Sequence, residues 1–103
     1  MKALAIQTNL NPEFELCDLS IQKIEEMVSL PLDENQYYIA IHKGNMGKDT
    51  LPFEFKVLDS QTLLYSFKSL FYVIKVNESG KITNITDDDK IVFNKIFLLR
   101  ARM

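Results

Sequence analysis

The sequence predicts one α+β domain spanning residues 1–103, in which a mainly antiparallel sheet of four to six strands packs against two or three helices. Three observations support this prediction. The chain is 47% hydrophobic and 25% charged, which is ordinary for a globular domain with one core. Four tyrosines and seven phenylalanines supply large side chains for that core. Short runs of strand-forming residues alternate with stretches in which apolar residues recur at helical spacing.

The first third of the chain predicts two short strands and a helix. Residues 3–8 alternate weakly between apolar and polar, and residues 14–17 form a second extended segment. Asp18 or Ser20 is a suitable cap for a helix that ends near Pro31. The helix prediction rests on apolar side chains at helical spacing, which are Ile21, Ile24, Met27 and Val28.

The middle of the chain predicts a long hairpin followed by a second helix. Residues 37–41 are rich in strand formers, and residues 53–58 alternate as a half-buried strand does. The glycines and polar residues of segment 42–52 then read as the loop of a hairpin. Asp59 or Ser60 can cap the second helix, whose apolar stripe would comprise Leu63, Leu64, Phe67, Leu70 and Phe71.

The last third predicts a central strand, a hairpin and a final helix. Residues 71–76 form a nearly continuous strand-forming run, and a turn ending at Gly80 leads to a return strand over residues 81–86. Residues 91–99 fit a strand by propensity and a helix by length. The flanking charges favour the helix, because acidic residues 87–89 precede it and arginines follow it.

Reactive side chains are scarce in this chain. His42 is the single histidine and Cys17 the single cysteine, and these residue types carry most nucleophilic, acid–base and metal chemistry near neutral pH. No Cys and His spacing predicts zinc, and the consecutive carboxylates of residues 87–89 suit a helix cap better than a cation site. We therefore expect no metal and no cofactor. The first expectation is a binding module rather than an enzyme.

Segment 42–49 contains the best enzymatic alternative. Gly44, Gly47 and Lys48 suggest a phosphate-binding loop, but a Walker loop needs four residues between its glycines and a Ser or Thr after its lysine. A glycine-rich hairpin loop explains the pattern better. A small hydrolase or nuclease would use His42 as a general base and Lys48 to stabilise anionic charge. A lone histidine at a strand end is more often structural or solvated.

Acidic residues are concentrated between residues 13 and 34. This segment has seven acidic side chains and one basic side chain, whereas the rest of the chain has eleven basic and seven acidic side chains. The formal net charge of −2 and the isoelectric point near 5.3 therefore conceal an acidic segment in a mildly basic background. Such a segment attracts a basic protein and repels phosphate backbones, although solubility alone also explains an acidic face. The expected partner-binding residues are Glu25, Glu26, Asp33 and Glu34.

These observations predict a non-enzymatic protein-binding domain of bacterial or phage type, such as an immunity protein or inhibitor that occludes a basic toxin or nuclease. No segment reaches the roughly 18 apolar residues of a membrane span, and Gln7 interrupts the first apolar run before a signal-peptide core is complete. We therefore expect a cytoplasmic protein with no membrane partner. A subunit of a homo-oligomeric assembly is a further alternative, which an exposed aromatic strand would favour.

Overall fold

The residues that the structure describes form two antiparallel sheets and two α-helices, which confirms the predicted α+β class. The computed structural model describes residues 1–6, 13–31, 36–45, 48–49, 54–59, 62–96 and 101–102. In chain order the elements are β1 (Lys2–Ile6), β2 (Phe14–Asp18), α1 (Ile21–Glu25), β3 (Met27–Pro31), β4 (Tyr37–His42), a 3₁₀ turn (Lys43–Asn45), β5 (Glu54–Asp59), β6 (Thr62–Phe67), β7 (Tyr72–Val76), β8 (Ile82–Thr83), α2 (Asp87–Ile96) and β9 (Ala101–Arg102).

The larger sheet has the strand order β2-β1-β7-β4-β3, with β8 paired to β7 beyond the end of β1. Val73 of β7 lies opposite Leu4 of β1 on one side and Ile39 of β4 on the other. The prediction of a central strand over residues 71–76 is therefore confirmed. The smaller sheet has the order β6-β5-β9.

Two faces of the larger sheet are apolar, because successive strand residues point to opposite sides. One face, here called the α2 face, holds Leu4, Ile39 and Val73 in a cluster with Phe14 and with Phe93 of α2. The Phe14 and Phe93 rings meet edge to face with centroids 5.9 Å apart. These buried rings fix α2 on the sheet and confirm the predicted C-terminal helix; predicted helix residues 97–99 lie outside the described residues.

The opposite face, here called the α1 face, is crossed by the chain between β2 and β3. These two strands form opposite edges of the sheet, so residues 19–26 must pass over the strands between them. Ala3 and Ala40 are fully buried under this crossing, in one cluster with Ile24 and Ile74. Their small side chains let the crossing segment approach the sheet closely.

The prediction of a helix that ends near Pro31 is wrong, because α1 ends at Glu25 and residues 27–31 form strand β3. Met27 and Val28 fit a helical stripe, but in β3 they point to opposite faces of the sheet, and all five residues of β3 pair with β4. Pro31 also favours the strand, since proline restricts the preceding residue to extended conformations and is tolerated on an edge strand.

Two predictions for the middle of the chain are also wrong. Strand β4 pairs with β3 and β7, whereas β5 lies in the smaller sheet, so segment 42–52 does not close a hairpin between them. The predicted helix beginning at Leu63 is strand β6 over residues 62–67. Val57 pairs with Tyr65 and Leu58 with Leu63, so Leu64 is the extra residue of a bulge. Because of this extra residue, the apolar side chains of β6 do not alternate regularly, and their spacing in the sequence resembles that of a helix.

The hairpin between β7 and β8 is confirmed, although its return strand is only Ile82–Thr83. Its turn is organised by Asn77, whose side-chain oxygen accepts hydrogen bonds from the backbone N–H groups of Ser79 and Lys81 at 2.9 and 3.0 Å. Gly80 completes the turn with φ of +80°, a value that L-residues with a side chain rarely adopt.

Gly80→Ala is expected to lower the free energy of unfolding by about 1 kcal/mol, because alanine is strained at positive φ even though its Cβ would meet nothing within 4 Å. Gly44→Ala is the matched control. The φ of Gly44 is not positive, and a Cβ at this position also meets open space. The free energy of unfolding of the Gly44→Ala variant should therefore change little. Urea unfolding of the two variants checks this, and equal losses would contradict the explanation.

Candidate functional site

A groove of about 360 Å³ lies on the α1 face and is here called the α1 groove. It is bounded by α1 on one side and by the β7–β8 hairpin on the other. Its apolar lining consists of Ile24, Met27, Ile74, Val76 and Ile82. Glu25, Ser29 and Tyr38 add polar groups, and Gly80 contributes backbone only. The groove therefore combines an apolar surface with a carboxylate at its border.

Strand register and a helix cap place these residues together. Tyr38 of β4 lies opposite Ile74 of β7, and Val76 lies opposite Ile82 of β8, so alternation brings them to one region of the sheet. The Ser20 hydroxyl accepts a hydrogen bond from the Lys23 backbone N–H at 3.1 Å and starts α1. Helix α1 then buries Ile24 and leaves the next residue, Glu25, exposed.

The acidic segment is not uniformly free to attract a partner. Glu15 forms an ion pair with Lys90 at 3.3 Å, and Asp18 forms one with Lys2 at 2.9 Å. Glu25 and Glu26 are exposed and have no ion pair within the part of the chain that the structure describes. The other two predicted binding residues, Asp33 and Glu34, lie outside the described residues.

His42 and Lys48, the residues of the enzymatic alternative, are both exposed. His42 ends β4 opposite Met27, and the Lys48 backbone carbonyl accepts a hydrogen bond from the Ser69 hydroxyl at 3.1 Å. Among the described residues, no hydrogen bond or ion pair joins His42 to Lys48. The two side chains thus show none of the mutual orientation that a base and an anion-stabilising group need.

A polar cluster that the sequence reasoning missed lies between β4, β7 and the start of α2. The Asp89 carboxylate accepts hydrogen bonds from the Tyr37 hydroxyl and from the Lys75 ammonium group, the latter at 3.3 Å. It also accepts from the Thr86 backbone N–H at 2.9 Å, while the Thr86 hydroxyl accepts from the Asp89 backbone N–H at 3.2 Å. This reciprocal pair is a capping box, which the Thr-x-x-Asp spacing signals.

The environment of Asp89 favours its charged form. Partial burial alone would raise the pKa of Asp89, but the hydrogen bonds from Thr86, Tyr37 and Lys75 outweigh it and hold the pKa below its ordinary range. The Tyr37 ring also packs edge to face on Phe93 of α2, with the ring centroids 4.8 Å apart. The cluster therefore starts and anchors α2. Of the predicted capping residues 87–89, Asp89 makes the capping hydrogen bonds, and Asp87 and Asp88 are exposed in the same first turn.

The part of the chain that the structure describes contains neither a cluster of metal ligands nor a membrane-spanning helix. No group of three or more His, Cys, Asp or Glu side chains is arranged there to hold a metal ion. No helix in those residues has the length and apolar character needed to cross a membrane.

Comparisons with known proteins give no identification. No protein-family model matches this chain, and no significant match is found among curated proteins or solved structures.

Asp89→Asn is expected to reduce the free energy of unfolding near neutral pH by about 1 kcal/mol, because it weakens the capping box. The sign of the pH effect follows from the lowered pKa. The stabilisation is present above the unfolded-state pKa of about 4 and is lost as pH falls through the lower folded-state pKa. The difference in free energy of unfolding between wild type and the variant should therefore become smaller at acidic pH.

Urea unfolding at about pH 7 and about pH 3 measures this difference. Asp88→Asn is the matched control, since it removes the same charge from the same first turn of α2 at an exposed position, without touching Tyr37 or Lys75. A deficit for Asp89→Asn that is equal at both pH values would contradict the assignment.

Cys17 is expected to react slowly with iodoacetamide at mildly alkaline pH. Burial, and secondarily the negative charge of Asp18, raises the pKa of the Cys17 thiol despite the opposing charges of Lys2 and the N-terminus. Alkylation of the native chain is compared with alkylation in urea, where the burial is lost. A native rate equal to the rate in urea would show that the thiol is not protected.

Proposed function

We propose that this chain is a non-enzymatic protein-binding domain that binds a basic partner protein through the α1 face. The observation that carries the proposal is the position of Glu25 and Glu26. Both are exposed at the end of α1, neither is in an ion pair among the described residues, and Glu25 borders the α1 groove.

The distribution of ion pairs supports this choice of surface. Lys2 and Lys90 offset the charges of Asp18 and Glu15 on β2, so these carboxylates contribute little net potential. Glu25 and Glu26 lie where the crossing segment enters β3, the opposite edge of the sheet. Their potential attracts basic groups over a Debye length of about 8 Å at physiological salt and accelerates the encounter with a basic partner.

The composition of the surface also suits protein binding. Protein interfaces commonly have an apolar centre that contains aromatic side chains and a polar or charged rim. The lining of the α1 groove has a similar mixed composition, because it includes the aromatic Tyr38, the apolar Val76 and Ile82, and the acidic Glu25. Aromatic side chains in such centres often contribute more to affinity than the charged rim does, while the rim sets the association rate.

An inhibitor or immunity protein of bacterial or phage type, acting in the cytoplasm on a basic toxin or nuclease, is the specific form of this proposal. Nucleases present lysines and arginines to bind phosphates, and an acidic surface is complementary to such a site. The same carboxylates disfavour direct binding of nucleic acid by this chain.

The other functions have less support. A hydrolase or nuclease would need His42 and Lys48 to act together, and no contact joins them in the described part of the chain. A homo-oligomer was expected to expose an aromatic strand. Every aromatic side chain whose burial is described is buried or half-buried, and the exposed large apolar residues there are Ile21, Ile91 and Val92.

The double variant Glu25→Lys/Glu26→Lys is expected to slow association with the basic partner by about tenfold at low salt and to flatten the dependence of the rate on ionic strength. The partner is first captured from the native host on the wild-type chain. Association rates are then measured by stopped-flow or surface plasmon resonance at several salt concentrations.

Glu13→Lys/Asp88→Lys is the matched control. It produces the same change in net charge at two exposed positions, one preceding β2 and the other in α2, which packs on the opposite face. Its association rate should stay within about twofold of wild type, because neither position lines the α1 groove and screening by salt weakens the effect of more distant charges. Equal slowing by both double variants would show that overall charge, and not the α1 face, governs binding.

A further inference from the structure

We infer that the α1 groove holds the side chain of a lysine or arginine of the partner protein, with its aliphatic stem on the apolar lining and its charged head at Glu25. This inference rests on the proposed function and adds the chemical group that the surface recognises. Three properties of the groove support it: its lining, the position of its carboxylate and its size.

The lining suits the stem of a long basic side chain. Ile24, Met27 and Ile74 are each at least 90% buried within the chain, so they form a fixed floor of the groove. The half-buried Val76 and Ile82 of the β7–β8 hairpin add accessible apolar surface above it. Lysine and arginine stems pack on such surfaces while the charged head remains in a polar environment.

An acidic residue belongs to the lining of the groove. Glu25 is one of the lining residues, whereas the neighbouring exposed Glu26 is not. A guanidinium or ammonium group at Glu25 would gain a charge-assisted hydrogen bond at the border of an apolar surface. The half-buried Tyr38, which also lines the groove, adds a hydroxyl group and an aromatic ring that attract a cation.

The size of the groove limits its occupant. A volume of about 360 Å³ is near the lower end of the range of roughly 300 to 1,000 Å³ found for ligand sites, so one or two side chains fill it. Gly80 keeps the hairpin side open, because it contributes no side chain to the lining. An arginine or lysine on a loop of the partner can therefore enter from the surface.

The test uses three tripeptides titrated into the full chain with isotopically labelled isoleucine methyl groups. The central residue is arginine, citrulline or diaminopropionic acid, and the ends are acetylated and amidated. Citrulline keeps the length of arginine without its charge, and diaminopropionic acid keeps a charge on a short stem. The arginine peptide should shift the methyl signals of Ile24, Ile74 and Ile82 saturably and bind about tenfold more tightly than either of the others, which corresponds to about 1.4 kcal/mol.

Glu25→Gln should weaken the arginine peptide by about fivefold and leave the citrulline peptide unchanged, which isolates the interaction between the two charges. Glu26→Gln is the matched control and should leave both peptides unchanged. The inference is overturned if citrulline binds as tightly as arginine, if Glu26→Gln weakens binding as much as Glu25→Gln, or if the three methyl signals do not move.

Failure of this inference differs from failure of the proposed function. If the arginine peptide moves none of the methyl signals, but Glu25→Lys/Glu26→Lys still slows the captured partner, the groove does not hold a basic side chain and the acidic surface remains the binding site. If that double variant also leaves association unchanged, both proposals are overturned.

Discussion

The structure depends on covering both faces of the central strand β7. Val73 on one face and Ile74 on the other are almost completely buried, so each face needs a helix or crossing segment of its own. Helix α2 covers the first, through Phe93. The second is covered by the segment that joins β2 to β3. The small side chains of Ala3 and Ala40 allow this segment to pack closely on the sheet. This crossing carries Glu25 to the border of the α1 groove, so the candidate site is a consequence of how the core is closed.

The sequence was informative where local signals and tertiary contacts agree. Residues 71–76 and the turn at Gly80 were predicted because strand propensity and turn chemistry favour the observed hairpin. Predictions from the sequence were wrong where apolar residues of a strand also occur at helical spacing. Residues 27–31 and 62–67 were predicted as helical, and each is a strand because pairing with a neighbour satisfies its backbone. A bulge such as that at Leu64 is set by the partner strand and leaves no separate signal in the sequence.

The candidate site was predicted only in part. The acidic character of Glu25 and Glu26 is visible from composition, and the structure locates both residues at the end of α1. The groove was not predicted, because it joins residues from α1, β3, β4 and the β7–β8 hairpin that meet only after folding. The ion pairs that offset the charges of Glu15 and Asp18 could not be predicted either, because their partners Lys90 and Lys2 are distant in sequence. Long-range pairing therefore decides which acidic residues can attract a partner.

Backbone hydrogen–deuterium exchange of the chain, measured with and without its captured partner, tests most directly whether the α1 face is the functional surface. Added protection is expected in residues 21–29 and 74–82, which contribute Ile24, Glu25, Ser29 and Ile82 to the groove. No added protection is expected around His42. Protection confined to residues 42–49 or to α2, with the α1 face unchanged, would contradict the assignment of the α1 face as the functional surface.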